Sequence, residues 1–161
     1  SFNRRQQEKE DELKLLELYI TLERMRFDNK FDVVYEIDDS LDLVMTEIPS
    51  LLLQPFVENA INHGLRHKKS QGLLTIKMIF EEENDTLICV IQDDGVGRNK
   101  AEEIRAQSLK KHKSRGTQII EERLATFNAS GEIKLEVKTE DVNVALEDCG
   151  TRVTLTIPNI E

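Results

Sequence analysis

Leu53-Gln54-Pro55-Phe56-Val57-Glu58-Asn59-Ala60-Ile61-Asn62-His63-Gly64 is the stretch from which the rest of the chain can be read. The run from Ser50 to Gly64 is expected to be a helix, with Ser50 as N-cap, Pro55 as a kink or late start and Gly64 as the C-terminal stop. At about 100° per residue, Glu58, Asn59, Asn62, His63 and Arg66 fall in one arc of roughly 140°. Phe56, Val57, Ala60, Ile61 and Gly64 fill another arc of similar width. One face therefore belongs to a core, and the other carries a carboxylate, two amides, an imidazole and a guanidinium side by side. A solvated polar face is the commoner reason for such an arc. Against it, Asn is a poor helix former, yet two occur three apart where a surface helix would ordinarily use Lys or Glu. Amide and carboxylate oxygens also suit Mg²⁺, a hard ion that keeps several waters and takes few protein ligands.

Working outward, Phe31, Val33, Tyr35 and Ile37 alternate with mostly polar neighbours, the pattern of a half-buried strand, and Asp38-Asp39-Ser40 reads as a turn. Strands are expected over Leu73 to Glu81 and Leu87 to Asp93, joined by the acidic turn Glu82-Glu83-Asn84-Asp85. The polar stretch from Asp94 to about Ser114 holds a short helix near Lys100 to Gln107. Helical spacing resumes over Thr117 to Phe127, and strands at Ile133 to Lys138 and Val153 to Ile157 close the chain.

At the other end, Arg4 to Asp28 lacks Gly and Pro and reads as a helix. Leu15, Leu18, Leu22 and Met25 form one apolar stripe; Leu13, Leu16, Ile20 and Phe27 form a second on a different side. Such a helix packs on its own domain and on a partner helix, or is half-wrapped by its domain alone. The order of elements predicts an α/β sandwich in which helices cover one face of a mixed sheet.

Composition narrows the function. The 161 residues amount to about one domain, and 22 basic against 31 acidic residues give a net charge of −9. That balance disfavours generic nucleic-acid binding, which needs a surplus of Lys and Arg. Cys89 and Cys149 lack Cys-x-x-Cys spacing and read as reduced thiols in or near strands, not as a metal site. No apolar run approaches the ~18 residues that span a bilayer. The chain runs from Ser1 straight into a charged helix, which reads as part of something longer.

Two further pieces carry chemistry. Leu87-Ile88-Cys89-Val90-Ile91 leads into Gln92-Asp93-Asp94-Gly95-Val96-Gly97, where the glycines let the backbone turn sharply and a flat group come close. An Asp at the end of a buried strand can accept a hydrogen bond from an exocyclic amine, as adenine offers, although Asp-Gly after a strand is more often only a turn. Lys110-Lys111-His112-Lys113-Ser114-Arg115-Gly116-Thr117 is a basic run ending at a helix start, where orphan N–H groups favour phosphate; alone, it reads as a solvated loop.

Together these pieces resemble the Bergerat, or GHKL, nucleotide-binding fold, and specifically the LytS-type sensor histidine kinases, over nearly the whole chain. Leu18 to Phe27 resembles the tail of that family's dimerisation helix. Ile48 to Gly64 resembles its N box, Asp93-Asp94-Gly95-Val96-Gly97 its first glycine box, and Ser114-Arg115-Gly116 with Glu122-Arg123-Leu124 its second box and following helix. Gly150 to Pro158 resembles its last strand.

The resemblance implies a two-layer Bergerat sandwich at 30–161: a mixed, mostly antiparallel sheet covered on one face by helices. Before it, 1–29 would be the tail of the dimerisation and phosphoacceptor region. It implies ATP and Mg²⁺ as ligands, with Asn59 on Mg²⁺, Glu58 beside it ordering water or the ion, and Asn62 and His63 along the phosphates. Asp93 would take the adenine amine, with Gly95 and Gly97 shaping the base pocket. Arg98 to Arg115 would be a mobile lid, and Lys113, Ser114, Arg115, Gly116 and Thr117 would approach the phosphates. The implied partners are an upstream phosphoacceptor helix, a second copy in a homodimer, and a response regulator. The implied location is cytoplasmic, in a parent protein anchored in the bacterial inner membrane.

The pattern is broken in three places. Ser114 replaces the first glycine of the second box, and Thr117 and Ile119 replace its usual Leu and Asn. This keeps a second reading in view, a degenerate nucleotide sensor or dimer scaffold without phosphotransfer. Related GHKL ATPases carry a Glu one helical turn before the Mg²⁺-binding Asn as the base for water attack; here that position is Pro55, which favours transfer over hydrolysis. The three histidines, His63, His67 and His112, all lie off the N-terminal helix, so the acceptor is expected upstream of Ser1, and these residues alone should bind nucleotide without autophosphorylating.

Overall fold

The computed structural model describes residues 2–39, 53–107 and 135–158, with side chains from Lys14 onward. Its elements in chain order are α1 (Phe2–Arg26), β1 (Phe31–Ile37), α2 (Gln54–Asn59), β2 (Gly72–Glu81), β3 (Thr86–Asp93), α3 (Arg98–Gln107), β4 (Glu136–Asp141) and β5 (Thr151–Ile157). The strands form one sheet in the order β1-β2-β3-β5-β4. The β1–β2 pair is parallel, with Phe31 opposite Gly72; the remaining pairs are antiparallel. A parallel pair needs a crossover, and the chain between β1 and β2 carries α2.

Period-two alternation decides which side of the sheet is covered. Leu74, Ile76 and Met78 of β2, Leu87, Cys89 and Ile91 of β3, and Leu155 and Ile157 of β5 are buried, and they share one core with Phe56, Val57, Ala60 and Ile61. Leu16 and Ile20 of α1 enter the same core, whereas Val34, Leu73 and Ile79 are exposed. The result is the expected two-layer α/β arrangement with an N-terminal helix.

α1 keeps its two faces distinct. Leu16 and Ile20 are buried, while Leu15, Leu18, Leu22 and Met25 are 55–66% exposed. Asp28 and Asn29 take positive φ (54° and 56°) and end the helix. Arg24 then ties it to β1, its Nε donating to the Phe31 carbonyl at 2.8 Å. Among the described residues no helix is long and apolar enough to cross a membrane.

Several boundaries differ from expectation. Pro55 sits in the first turn of α2, where its missing N–H costs nothing, so it marks a start and not a kink. The expected cap Ser50 and the helix over Thr117 to Phe127 lie outside the described residues. β4 runs Glu136–Asp141 with Leu135 just before it, and the start expected at Ile133 lies outside the described residues. Gly64 does not stop the helix: its φ of −101° is right-handed, and the chain continues through a 3₁₀ turn at Leu65–His67.

Candidate functional site

The divided face of the Leu53–Gly64 segment is built as its residues predict on the apolar side. Phe56, Val57, Ala60, Ile61 and Gly64 are buried, while Glu58, Asn59, Asn62 and His63 are half-buried and Arg66 is exposed. The segment is not one regular α-helix. α2 ends at Asn59 and the chain widens into a π-helical turn over Ala60–Gly64. Such turns are frequent at functional sites. The polar residues on this turn are Asn62 and His63.

The Asp93–Gly97 bend packs directly on this turn. The Val96 N–H donates to the Gly64 carbonyl at 3.2 Å, and the Gly150 N–H, from the start of β5, donates to the Gly95 carbonyl at 3.0 Å. The glycines are there for close approach. A Cβ on Gly64 would stand 2.8 Å from Asp93 Cγ, and one on Gly95 would stand 2.7 Å from Gly64 Cα. Asp93 is buried, at 3% exposure. Its Oδ1 accepts the Gly95 N–H at 2.9 Å, and Oδ2 has no hydrogen bond among the described residues. Burial, reinforced by Asp94, pushes its carboxyl up to about 7, against the opposing pull of the Gly95 N–H and Lys68. Asp94 is spent on structure: it accepts the Leu73 N–H at 2.7 Å and pairs with Lys68 at 3.0 Å.

Two other elements reach the polar arc. α3 lies against the π turn. Burial and then Arg105 hold the His63 imidazole below its usual range, with Glu102 opposing. The first half of the stretch expected to be a mobile lid is thus a helix fastened by the Arg98–Asp141 pair at 3.2 Å and by buried Ala101. On the α1 side, burial together with Glu23 and Glu58 raises the Tyr19 phenol, so Tyr19 lies near Glu58.

The structure therefore brings Asp93 and Gly95 against the π turn that carries Asn62 and His63 and follows Glu58 and Asn59, while Gly97 packs against Cys149 and Gly150. Lys113, Ser114, Arg115, Gly116 and Thr117 lie outside the described residues. Glu58 and Asn59 offer oxygens of the kind Mg²⁺ takes, and no group of three His, Cys, Asp or Glu side chains suited to a metal is present among the described residues. Tyr19, Arg105 and Gly150 were not foreseen. For Gly150 a signal existed, a glycine opening a strand, but its partner, the Asp93–Gly95 backbone, is distant in sequence.

No family model matches the chain. The sensor histidine kinase YpdA of Escherichia coli (strain K12) is 31% identical over 150 residues, covering 92% of this chain and 24% of YpdA. The sensor protein LytS of Bacillus anthracis is 31% identical over 153 residues, covering 92% of this chain and 24% of LytS. The chain belongs to the LytS/YpdA-type sensor histidine kinase catalytic domains. The same fold is seen in the nucleotide-free catalytic domain of histidine kinase ThkA, with a TM-score of 0.60, 16% identity and coverage of 92% of each chain. This histidine kinase catalytic domain spans about a quarter of the length of the two curated relatives.

Proposed function

We propose that this domain binds ATP with Mg²⁺ and donates the γ-phosphoryl group to a histidine that lies upstream of Ser1 on a dimeric helical hairpin. The observation that carries the reading is the buried Asp93 carboxyl, with Oδ2 open to a donor, packed against the end of the helix that bears Glu58, Asn59, Asn62 and His63. A buried acceptor approached by the Cβ-free backbone of Gly64 and Gly95 suits a flat base with an exocyclic amine, because a flat group can come close there.

In this reading Asp93 accepts the adenine amine, and Gly95 and Gly97 shape the walls of the base site. Asn59 holds the Mg²⁺, Glu58 orders water or the ion beside it, Asn62 and His63 line the phosphates, and Lys113, Ser114, Arg115, Gly116 and Thr117 would bind them too. When bound, Mg²⁺ supplies charge neutralisation across the phosphates. The transfer forms a bond from the acceptor imidazole nitrogen to the γ-phosphorus and breaks the bond to the bridging oxygen, which leaves with ADP. The protein's part is positioning and electrostatic stabilisation. Pro55, in the first turn of α2, leaves no carboxylate one turn before Asn59 to activate water, which supports transfer over hydrolysis.

The exposed Leu15, Leu18, Leu22 and Met25 stripe of α1 supports a homodimer, and a response regulator would be the next acceptor. The domain would work in the cytoplasm, within a membrane-anchored protein. Ser114 in the second glycine box favours the alternative of a nucleotide sensor or dimer scaffold without transfer.

The test is calorimetry with Mg²⁺ and ATP. Asp93→Ala should lose about 1.5–3 kcal/mol of binding, the range for a hydrogen bond to a charged group. Wild-type affinity in that variant would remove Asp93 from the adenine site. Adding the upstream helix and assaying acid-labile phosphate on histidine separates transfer from binding alone.

A further inference from the structure

We propose that Lys68 is a positioning residue of the base site: its ion pair with Asp94 pins the end of β3 and keeps an unpaired carboxylate from standing beside Asp93. The inference rests on the ATP-binding reading and adds to it a residue that acts through Asp93.

The clamp is built at the point where the sheet stops. The β2–β3 ladder ends with Leu74 opposite Asp93. One residue on, the Asp94 N–H donates to the Leu73 carbonyl at 3.3 Å, and its Oδ1 accepts the Leu73 N–H at 2.7 Å. Oδ2 faces Lys68 Nζ at 3.0 Å. Both carboxylate oxygens are thus occupied, one by β2 and one by the segment that leaves the π turn. That segment is fixed independently: the Lys68 N–H closes the 3₁₀ turn on the Leu65 carbonyl at 3.2 Å, and Leu65 is buried. Gly64 abuts Asp93, and Lys68, further along the same segment, holds Asp94. Two consecutive residues of the bend are gripped by one short stretch of chain.

Burial shows that the lysine is committed to this contact. The Lys68 side chain is 13% exposed, against 47% for Asp94, whereas the adjoining Lys69 is exposed. Lysine is almost never enclosed without a partner, and holding its long stem in one place costs entropy. Neighbours along a strand point to opposite faces, so Asp93 enters the site and Asp94 does not. Without Lys68, a bare carboxylate would adjoin the proposed base acceptor, and like charges disfavour each other's ionised form. Asp93 is sensitive to this, because burial has already brought its carboxyl up to about 7. The titratable groups that face it among the described residues are the adjoining Asp94, Lys68 from the end of the 3₁₀ turn, and the Cys149 thiol from the segment before β5. Lys68 is the cation among them.

The experiment measures ATP affinity by calorimetry between pH 6 and pH 9 on the full chain, in wild type, Lys68→Met, Lys68→Arg and the double variant Lys68→Met with Asp94→Asn. An NMR titration of the Asp93 carboxyl carbon follows the same proteins without nucleotide. Lys68→Met keeps the length of the stem and removes the charge. It should weaken ATP roughly 2- to 5-fold at pH 7, with the loss vanishing toward pH 9, and move the Asp93 titration to higher pH. Lys68→Arg should restore both. The double variant should bring the titration back, since the charge that Lys68 answers is gone. A loss in Lys68→Met that is equal at every pH, with the titration unmoved, would make Lys68 a structural residue only and overturn the assignment. A wild-type profile in that variant, or no recovery in the double variant, would overturn it as well. A wild type that binds no ATP at any pH would sink the ATP-binding reading itself, while the nucleotide-free titration would still decide whether Lys68 acts on Asp93.

Discussion

Gly64 and Asp93 occupy each other's space: a Cβ on Gly64 would stand 2.8 Å from Asp93 Cγ and nearer still to Oδ1. The fit explains a glycine whose φ of −101° any residue could adopt. What the position demands is the absence of a side chain, so that strand β3 can deliver its terminal carboxyl against the helix. Gly64→Ala is therefore expected to fold less stably, by about 1–3 kcal/mol as for overpacking in a well-packed core. It should lose ATP binding out of proportion to that cost, because the carboxyl it displaces is the proposed base acceptor. Denaturant titration and calorimetry on the same variant check both halves; unchanged nucleotide affinity would separate Asp93 from the base.

Asp93 also gives the domain a pH dependence with a definite sign. Its folded pKa of about 7 is raised, first by burial, above that of an unfolded aspartate near ~3.9. The stability tied to this group is thus fully present below the unfolded value and lost as pH rises through about 7. Asp93→Asn keeps an acceptor for the Gly95 N–H and removes the titration. It should be more stable than wild type at pH 8, by a few kcal/mol at most, and melt higher, with the gap closing toward pH 4. ATP affinity of the wild type should fall as pH drops below about 7, where the carboxyl takes up a proton. Thermal melts of both proteins across that range, without nucleotide, decide it; parallel curves would mean that Asp93 is not the group involved.

Much of this was legible because it is periodic. The alternation Phe31, Val33, Tyr35, Ile37 gave β1 its observed limits, and the two arcs around Asn59 match the burial found. The end of β4 was set too early, at Lys138, because Glu136-Val137-Lys138-Thr139-Glu140-Asp141 is a charged edge strand with little to bury. The π turn and the role of Gly64 were not legible, since both depend on Asp93 and Gly95 arriving from another strand. The charge effects of Glu58 on Tyr19 and of Arg105 on His63 likewise cross between elements, on which local spacing is silent.

Gly97 has a similar neighbour and an additional constraint. Its φ is +84°, and Cys149 Sγ occupies the place where a Cβ would go. Gly97→Ala thus meets two penalties, the left-handed backbone at about 1–3 kcal/mol and the clash with sulfur. Cys149→Ala should relieve the second and leave the first. The double variant is expected to be more stable than Gly97→Ala alone yet less stable than Cys149→Ala, with a coupling of roughly 0.5–3 kcal/mol in denaturant melts. Strict additivity would show that the thiol does not constrain the bend.

The exposed stripe of α1 gives the last prediction. Leu15, Leu18, Leu22 and Met25 follow the 3-4-3 spacing of a coiled-coil seam, and each is more than half exposed although Leu16 and Ile20 on the same helix are buried. Burying a leucine fully is worth about 1.5–3 kcal/mol, so covering the open half of one returns roughly 1 kcal/mol in each copy of a pair. Leu18→Glu with Leu22→Glu removes that gain twice per copy and sets like charges against each other across the seam. It leaves the residues that pack α1 on the sheet untouched. The variant should be monomeric by light scattering at concentrations where the wild type self-associates, with its melting transition and its ATP affinity preserved. A drop in both would mean that the stripe packs on its own domain, and a wild type that stays monomeric at every concentration would leave the second copy without support.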